Sequence, residues 1–392
     1  MSTELLAHLI NPAFYPHPVE KVEVRETHIS WVFLAGDFAY KLKKPVDFGF
    51  LNYTSKEARQ KYCQLELELN QRLAPQLYLE VLPLTGSPSE PQINGAGEAF
   101  DYLLKMQRFD DSQLLANLEE KGELKEEHLL QLTEELANFH LGLAAKEPAE
   151  TPPNNLGSPE AVWQPMQQNF DQIKPFLTKT EDLAQLEQLA GWAEDTFNRL
   201  EPMLESRLAE GFIRPCHGDL HLGNATLHEN KVVAFDCIEF NLEFRWIDVI
   251  NDLAFLIMDL ESRQQISLAQ LSLNHYLELT GDYAGLALLN LYKAYRALVR
   301  AKVSLFMLGD NSLSAAAKEE TWATYYKYAA LAESYTEFST PYLLITHGFS
   351  GSGKSTLTKE VVKQLNGIRI RSDVERKRLY GFAPTAKTNH QQ

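Results

Sequence analysis

Residues 215–240 have the sequence PCHGDLHLGNATLHENKVVAFDCIEF, and this stretch decides how the rest of the chain is interpreted. His217, Asp219 and Asn224 have the spacing H-x-D-x-x-x-x-N, and Asp236 follows the apolar residues 232–235. Phosphoryl-transfer sites use one carboxylate to accept the proton of the attacking hydroxyl, and an amide and a second carboxylate to hold a metal ion. The four polar residues therefore indicate a site of this kind; the alternative is a polar loop that has this spacing by chance.

A turn signal lies between two short segments of this stretch. The Asn-Lys pair at 230–231 separates residues 226–228 from residues 232–235, a pattern that predicts a short β-hairpin. Because the two ends of a hairpin lie side by side, we expect Asn224 and Asp236 to lie at the same end of it.

The stretch resembles the catalytic loop of the aminoglycoside phosphotransferase family in its form H-G-D-x-H-x-x-N. The resemblance implies a protein-kinase-like fold, which is α+β and bilobal, with ATP and Mg²⁺ as cofactors. It further implies that Asp219 is the catalytic base and that His217 is a scaffold residue of the loop. Asn224 and Asp236 are, by the same resemblance, the magnesium ligands.

The composition is that of an ordinary globular protein. The chain has 392 residues, 44% hydrophobic and 23% charged, which is enough for two or three domains. Its net charge of −16 disfavours nucleic acid as a main partner, because phosphate backbones bind to basic surfaces. The sequence shows no cysteine pattern for disulfides or zinc, no signal peptide, and no apolar run of about 20 residues. We therefore expect a soluble, cytoplasmic protein.

The side chains of residues 38–44 alternate between two faces, as they do in a β-strand. The A-x-K sequence at 39–41 resembles the third strand of protein kinases. The lysine of that kinase strand contacts the α- and β-phosphates of ATP. Lys41 is therefore predicted to bind nucleotide, and Lys43, on the same strand face, is the alternative. A further alternative is that both are ordinary solvent-facing lysines.

Two more features of a kinase nucleotide site are expected nearby. Residues 56–72 are predicted to form a helix whose glutamate pairs with the strand lysine, and Glu66 fits this role better than Glu68. Protein kinases have a glycine-rich loop before the lysine strand, whereas residues 27–30 contain no glycine. The backbone and the Ser30 hydroxyl are expected to cover the phosphates instead.

The remaining periodic segments predict the other elements of the first domain. Residues 78–84 and 100–106 are expected to be strands around a polar loop, and residues 147–165 are expected to be a loop. Asp248 and Asp252 are spaced to share a helix face, and the resemblance implies that an aspartate here braces the catalytic loop. Helices are predicted over residues 126–145, 166–177 and 181–208.

The last part of the chain has a second nucleotide-site pattern. The sequence GFSGSGKS at 348–355 follows an apolar predicted strand, 342–346, and precedes a predicted helix, 356–365. In such a P-loop, glycines let backbone N–H groups converge on phosphates at the positive end of the helix. The Ser355 hydroxyl is also expected to bind magnesium. The residues predicted to bind nucleotide are Gly348, Gly351, Ser352, Gly353, Lys354, Ser355 and Thr356.

The segment after this helix resembles P-loop kinases that act on small molecules and on polynucleotide ends. Residues 368–370 are expected to be a second strand, after which Asp373 would receive the acceptor hydroxyl and Arg376 would contact a substrate phosphate. The alternative is that Asp373 caps a helix. About 50 residues follow Pro341, whereas a doubly wound P-loop kinase needs about 150. We expect the unit to be the N-terminal, truncated part of such a domain.

These patterns predict two domains. Residues 1–338 are expected to be the kinase-like domain, with an N-lobe over about 1–106 and a C-lobe over about 107–338, and residues 339–392 a partial α/β P-loop unit. The predicted function is ATP- and Mg²⁺-dependent transfer of the γ-phosphate to a hydroxyl of a small molecule. The alternative is a non-catalytic nucleotide-sensing module that regulates a P-loop kinase domain.

Overall fold

The structure is a computed structural model that describes residues 3–49, 51–144, 152–309, 313–337, 341–349 and 351–382. The chain divides into two compact units. The first unit consists of Met1–Leu124, His217–Asp219 and Gly223–Arg245. The second unit consists of Lys125–Cys216, Leu220–Leu222 and Trp246–Gln392. The predicted domain boundary between residues 338 and 339 lies outside the described residues, and the predicted domain and lobe limits stay predictions.

The first unit is built on one antiparallel sheet. Its strands are β1 (Val22–Glu26), β2 (Ser30–Ala35), β3 (Phe38–Lys43), β4 (Tyr78–Ser87), β5 (Glu90–Ile93) and β6 (Ala99–Gln107), in the spatial order β1-β2-β3-β6-β4-β5. The alternation of β3 puts Tyr40 and Leu42, both fully buried, into a core with Phe33, Leu82 and Leu103. The strands predicted at residues 38–44, 78–84 and 100–106 are thus confirmed.

Strand β5 was expected to be part of a polar loop, and that expectation is wrong. Residues 90–93 pair with the end of β4, where Leu84 lies opposite Ile93. A strand of only four residues with alternating burial gives a weak sequence signal. Its partner strand, rather than its own composition, determines its conformation.

The helices of the first unit are α1 (Thr3–Leu9), α2 (Lys56–Asn70), α3 (Leu115–Glu120) and α7 (Leu242–Arg245). Helix α2 begins after Ser55, whose hydroxyl accepts the N–H of Ala58 at 3.0 Å and caps the helix. It packs against β4 and β6, with Leu67 in a cluster that includes Leu104 and Tyr78. This packing fixes the helix face that carries Glu66.

The predicted hairpin in the first unit is confirmed. Strands β8 (Ala225–His228) and β9 (Lys231–Ala234) pair so that Ala225 lies opposite Ala234. The turn residues are Glu229 and Asn230, one residue earlier than the predicted Asn-Lys pair, because Lys231 belongs to β9. Their φ angles of 50° and 63° are those that a two-residue hairpin turn requires. The hairpin therefore brings the chain back at residue 235 to the level of residue 224, where the Phe235 N–H donates to the Asn224 carbonyl at 2.9 Å.

The second unit is mainly helical. It contains the antiparallel strands β7 (Ile213–Pro215) and β10 (Trp246–Asp248). Its helices are α4 (Glu126–Ala144), α5 (Pro159–Ile173), α6 (Thr180–Ala209), α8 (Val249–Ser262), α9 (Ile266–Thr280), α10 (Leu286–Phe306), α11 (Ala315–Ser334), α12 (Lys354–Leu365) and α13 (Ser372–Leu379). No described helix has the combined length and apolarity that a membrane crossing requires.

Helix α5 corrects a second expectation. It begins at Pro159, inside the residues predicted to be a loop, and it contains Pro165. The Ser158 hydroxyl accepts the N–H of Ala161 at 3.3 Å, and proline is compatible with the first helical position because no N–H is needed there. The Pro- and Ser-rich composition that favours a loop is here a helix start.

The P-loop segment, residues 341–349 and 351–382, differs most from its prediction. Helices α12 and α13 form, but residues 342–346 and 368–370 are not in strands, and both strand predictions are wrong. The exposed fractions of Leu343 and Ile345 are 84% and 80%. A β-strand needs neighbouring strands to satisfy its backbone groups and a covered face to bury its side chains, and these two short segments provide neither.

Candidate active site

The catalytic-loop residues of the first unit are joined by hydrogen bonds. His217 is fully buried; its Nε2–H donates to the Phe235 carbonyl at 2.9 Å, and its Nδ1 accepts the Asp219 N–H at 3.3 Å. One ring nitrogen donates and the other accepts, which is the pattern of a neutral imidazole. Asn224 donates its Nδ2 to the Asp219 carbonyl and to Asp219 Oδ2, both at 3.0 Å. The Asp219 carboxylate is therefore oriented by the amide five residues later.

The turn at Asp236 is fixed by contacts from α2 and β4. Asp236 has φ of 64°, a left-handed conformation that costs a non-glycine residue about 1–2 kcal/mol. Its N–H donates to the Tyr78 hydroxyl at 3.2 Å, and the next N–H, of Cys237, donates to Asn70 Oδ1 at 2.8 Å. These two hydrogen bonds keep the Asp236 carboxylate in one position.

Lys41 of β3 contacts two carboxylates of the unit, one from α2 and one from the segment after β9. Its Nζ donates to Glu66 Oε1 at 2.7 Å and to Asp236 Oδ1 at 3.1 Å. Burial by itself lowers the pKa of Lys41, but the charges of Asp236 and Glu66 outweigh it and raise the pKa well above its ordinary value. Burial raises the pKa of Glu66, yet the ammonium groups of Lys41 and Lys43 lower it to about 2. Lys41 and Glu66 are thus both charged at neutral pH.

Lys43 belongs to an adjacent buried network. Its Nζ donates to Glu66 Oε2 at 2.5 Å, to the Tyr53 hydroxyl at 3.3 Å, and also to the carboxylate of Glu239. The Tyr53 hydroxyl donates to Glu239 at 2.5 Å. The side chain of Lys43 is 1% exposed and that of Lys41 is 13% exposed, so the alternative of two solvent-facing lysines is wrong.

Asn224 and Asp236 offer oxygen atoms of the kind that Mg²⁺ prefers. Asn224 turns its Nδ2 to Asp219, which makes Oδ1 the atom it presents to a cation, and Asp236 uses Oδ1 for its contact with Lys41. Amide and carboxylate oxygens are hard ligands, and a divalent ion on two of them keeps further positions for phosphate oxygens and water. The donor set fits a magnesium site, and the ligand roles stay predictions.

Two other predicted nucleotide-site groups do not join this cluster. The Ser30 side chain is buried and lies 3.0 Å from Thr27 Oγ1, so its hydroxyl has a local partner. Glu68 is exposed and contacts Gln64 at 3.0 Å. Of the two glutamates considered on α2, the structure therefore brings Glu66 to the lysine.

The predicted P-loop residues surround the start of α12 in the second unit. Gly348, Gly351 and Gly353 all have positive φ, of 147°, 78° and 84°, which glycine adopts without a side-chain penalty. Lys354 donates its Nζ to the carbonyls of Gly348 at 2.7 Å and Phe349 at 2.6 Å. Its ammonium therefore lies over the loop. The loop residue Ser352 and the first-turn residues Ser355 and Thr356 are exposed.

Asp373 lies in the first turn of α13. Arg371 occupies the cap position of that helix, so the alternative in which Asp373 is the cap is wrong. The Asp373 carboxylate pairs with Arg371 at 2.9 Å. Burial raises the pKa of Asp373, but the Arg371 guanidinium outweighs it and lowers the pKa. The role of Asp373 towards an acceptor hydroxyl stays a prediction.

The aspartates of α8 have different partners from one another. Asp248 caps the helix through the Ile250 N–H at 2.8 Å and pairs with Arg207 at 2.6 Å. Asp252 contacts His140 at 3.1 Å, in the buried core of the second unit. Asp259 lies two turns after Asp252 on α8, and its carboxylate accepts the N–H of Leu222 at 3.0 Å. A catalytic-loop N–H is thus bonded by an aspartate that the sequence interpretation did not single out.

Three other contributors to the site were missed from the sequence. Asn70 lies one turn after Glu66 on α2, and Glu239 lies three residues after Asp236, so both had a positional signal. Tyr78, at the start of β4, had none, because its contact with the Asp236 N–H joins residues far apart in the chain.

The fold and the site define a protein-kinase-like phosphotransferase. A family model described as "Phosphotransferase enzyme family" matches residues 54–289, more than half of the chain. The chain belongs to the phosphotransferase enzyme family and is a kinase-type enzyme. A second model, described as "AAA domain", matches residues 343–392 and so covers the P-loop segment.

Two comparisons extend over most of the chain. An uncharacterized protein of Mycobacterium tuberculosis is 32% identical over 366 residues, which are 93% of this chain and 70% of that protein. The structure of amicoumacin kinase hAmiN in complex with AMP-PNP, Ca²⁺ and Ami is similar with a TM-score of 0.50 and 13% identity, and covers 84% of this chain and 96% of that chain. The structural similarity supports the kinase-like fold.

Proposed function

We propose that this enzyme is an ATP- and magnesium-dependent phosphotransferase that transfers the γ-phosphate of ATP to a hydroxyl group of a small molecule. The observation that carries the proposal is the contact of Lys41 with both Glu66 and Asp236, at 2.7 and 3.1 Å, within one unit that also holds Asp219. A lysine fixed by a helix glutamate and a metal-binding aspartate is the charge arrangement that phosphoryl transfer needs.

Asp219 is assigned the proton-accepting role. Its carboxylate is half-buried, and the contact of Asn224 with Oδ2 orients it to take the proton of an attacking hydroxyl. A positioned general base contributes about 10²- to 10⁴-fold to a rate. His217 supports the loop, because both of its ring nitrogens are occupied by backbone groups.

Lys41, Asn224 and Asp236 are assigned to the phosphates. Lys41 has a full positive charge and would neutralise charge on the phosphate oxygens, while Asn224 and Asp236 would hold the metal ion. Bound magnesium supplies charge stabilisation of the transferring phosphoryl group. Glu66 keeps the Lys41 ammonium directed towards Asp236, because it accepts from the same Nζ.

A second nucleotide site is assigned to the P-loop segment. The positive φ angles at its glycines and the position of Lys354 at the start of α12 support phosphate binding by backbone N–H groups. Lys354 would exchange its carbonyl contacts for phosphate oxygens, and the Ser355 hydroxyl would bind the associated magnesium.

The first test compares Asp219→Asn with the unchanged chain in a Lys354→Ala background, so that the P-loop makes no contribution. ATP turnover is measured with a metabolite extract as the source of acceptors, and phosphorylated products are identified by mass spectrometry. We expect Asp219→Asn to lower turnover by about 10²- to 10⁴-fold and to leave nucleotide binding largely intact, because the substitution removes only the proton acceptor.

The matched control is Asp111→Asn, which removes a carboxylate that pairs with Arg25 on the surface of the same unit. Its turnover is expected to equal that of the background. Equal turnover in Asp219→Asn and the background would contradict the proposed mechanism. ATP binding without turnover in every extract would instead favour a nucleotide sensor.

A further inference from the structure

The P-loop segment has a charge opposite to that of the chain as a whole. Residues 354–378 contain eight Lys and Arg and three Asp and Glu, in a chain whose net charge is −16. Its large apolar side chains are mostly exposed; Val374, at 2%, is a buried exception among the described ones. Polar contacts, rather than burial of apolar surface, therefore dominate the attachment of this segment to the rest of the second unit.

Asn274 of α9 makes one half of that attachment. Its Nδ2 donates to the Gly367 carbonyl at 3.0 Å, and its Oδ1 accepts the Arg369 N–H at 2.7 Å. The side-chain amide thus bonds one backbone carbonyl and one backbone N–H of the segment, as the backbone of a neighbouring β-strand would. This is a site-specific contact, because it requires a side-chain amide at this position with a carbonyl and an N–H opposite it.

Glu278, one turn further along α9, makes the other half. Its carboxylate pairs with Arg369 at 3.2 Å and with Arg371 at 3.0 Å, and its carbonyl accepts from Arg378 Nη2 at 2.6 Å. The side chain of Glu278 is 20% exposed, so its two ion pairs are screened less than surface pairs. A further ion pair, between Lys363 of α12 and Glu126 of α4, also attaches the segment to the rest of the second unit.

The two arginines that Glu278 binds also contact the P-loop residues. Arg369 donates its Nη1 to the carbonyl of Ser355 at 3.2 Å, and Arg371 donates its Nη2 to Asp373 at 2.9 Å. One carboxylate on α9 is therefore connected through two guanidinium groups to the start of α12 and to the start of α13. These are the places where the magnesium-binding serine and the acceptor aspartate are predicted.

We propose that Asn274 and Glu278 form a docking site on α9 for residues 367–378 of the P-loop segment, and that docking positions Ser355 and Asp373. The occupant of the docking site is the chain's own basic segment, and Asn274 and Glu278 act as positioning residues for the P-loop. The positioning of Ser355 and Asp373 rests on the nucleotide site proposed for the P-loop, whereas docking itself is measured in the nucleotide-free protein. Its failure and the failure of the proposed activity are therefore distinguishable.

The test is hydrogen–deuterium exchange of the full chain without nucleotide, measured by mass spectrometry on peptides that cover residues 367–378. In Glu278→Arg, two ion pairs become repulsions, and exchange in these peptides is expected to be at least about tenfold faster. In Asn274→Ala, the Arg369 N–H loses its acceptor, and exchange is expected to rise most in the peptide that contains this amide. Higher salt is expected to speed exchange in the unchanged protein as well.

Two further variants separate pairing from general damage. Glu201→Arg places the same new charge on an exposed position of α6 and is expected to leave exchange of residues 367–378 unchanged. Glu278→Arg combined with Arg369→Glu restores one ion pair with reversed charges and is expected to recover part of the protection. Unchanged exchange in Glu278→Arg overturns the proposal, and so does a charge-reversed pair that recovers nothing.

Positioning of the P-loop has a separate readout. A non-hydrolysable ATP analogue with Mg²⁺ is expected to slow hydrogen–deuterium exchange in peptides that cover residues 351–366. Glu278→Gln is expected to need about tenfold more of this nucleotide than the unchanged protein for the same protection. Protection of peptides that cover the Lys41 strand is expected to need the same concentration in both. An equal shift at both places would point to a global defect and would overturn the positioning role.

Discussion

Lys43 is a buried lysine whose ammonium lies between two buried carboxylates, Glu66 and Glu239. Burial by itself lowers the pKa of Lys43, but Glu239 and Glu66 outweigh it and raise the pKa above its ordinary value. Glu66 is shared with Lys41, so one carboxylate fixes both lysines of β3. Lys41 and Lys43 are therefore linked through Glu66, because each ammonium bonds one of its two carboxylate oxygens.

Substitution of Lys43 by Met tests how much this buried network stabilises the fold. The change removes the ammonium and leaves Glu239 buried with only the Tyr53 hydroxyl, and Glu66 with only Lys41. We expect the free energy of unfolding to fall by about 3 kcal/mol, as when one partner of a buried ion pair is removed. Urea unfolding followed by circular dichroism measures it.

The neighbouring Lys44 provides the control. It pairs with Glu26, whose side chain is 62% exposed, so Lys44→Met removes a pair that solvent already screens. Its unfolding midpoint is expected to stay close to that of the unchanged protein. If Lys43→Met unfolds at the same urea concentration as Lys44→Met, the buried network does not stabilise the fold.

At this scale the sequence predicts the residues of a motif better than the residues around it. Lys41, Glu66, Asp219 and Asp236 were predictable because each lies in a short segment that resembles a kinase motif. Glu239 and Tyr53 meet Lys43 only when distant segments pack together. No local pattern contains that information.

The elements that carry the site are those with the strongest local signals. Helix α2 has a serine cap and a continuous buried face, and the β8–β9 hairpin has a two-residue turn, so both were predictable. Strand β5 and the start of α5 were not, because their conformations depend on a partner strand and on a cap inside a proline-rich stretch. The segments at 342–346 and 368–370 show the opposite case, in which apolar, β-prone residues lack the neighbours that a strand needs.

Strand β4 contributes to the site through one hydroxyl group. Tyr78 is 3% exposed, and Tyr78→Phe would remove the acceptor of the partly buried Asp236 N–H, at a cost of about 1 kcal/mol. We expect the left-handed turn to loosen, so that higher Mg²⁺ concentration is needed for half-maximal ATP turnover. A Mg²⁺ titration of turnover in Tyr78→Phe measures this shift.

Tyr102→Phe, at a half-buried tyrosine of β6, is the matched control for the loss of a phenolic hydroxyl. Its Mg²⁺ requirement is expected to equal that of the unchanged protein. Should Tyr78→Phe and Tyr102→Phe show the same Mg²⁺ dependence, the hydrogen bond from Asp236 to Tyr78 has no part in positioning the metal ligand.

At the scale of the whole molecule, the chain combines two nucleotide-site patterns in two different units. Lys41 contacts Glu66 and Asp236 in the first unit, while Lys354 contacts its own loop in the second, so the two lysines share no partner among these contacts. Substitutions at sites without shared partners usually act additively. The two sites are therefore expected to bind nucleotide independently.

Binding stoichiometry tests this independence. With Mg²⁺ and a non-hydrolysable ATP analogue, isothermal titration calorimetry of the unchanged chain is expected to give two nucleotides per chain, because each site has its own lysine and its own phosphate-binding groups. Lys41→Ala and Lys354→Ala are each expected to give one, and the double variant none, with the remaining site unchanged in affinity. A single nucleotide in the unchanged chain that Lys354→Ala abolishes would mean that the Lys41 site does not bind ATP. If Lys41→Ala abolishes it instead, the P-loop does not bind nucleotide in this chain.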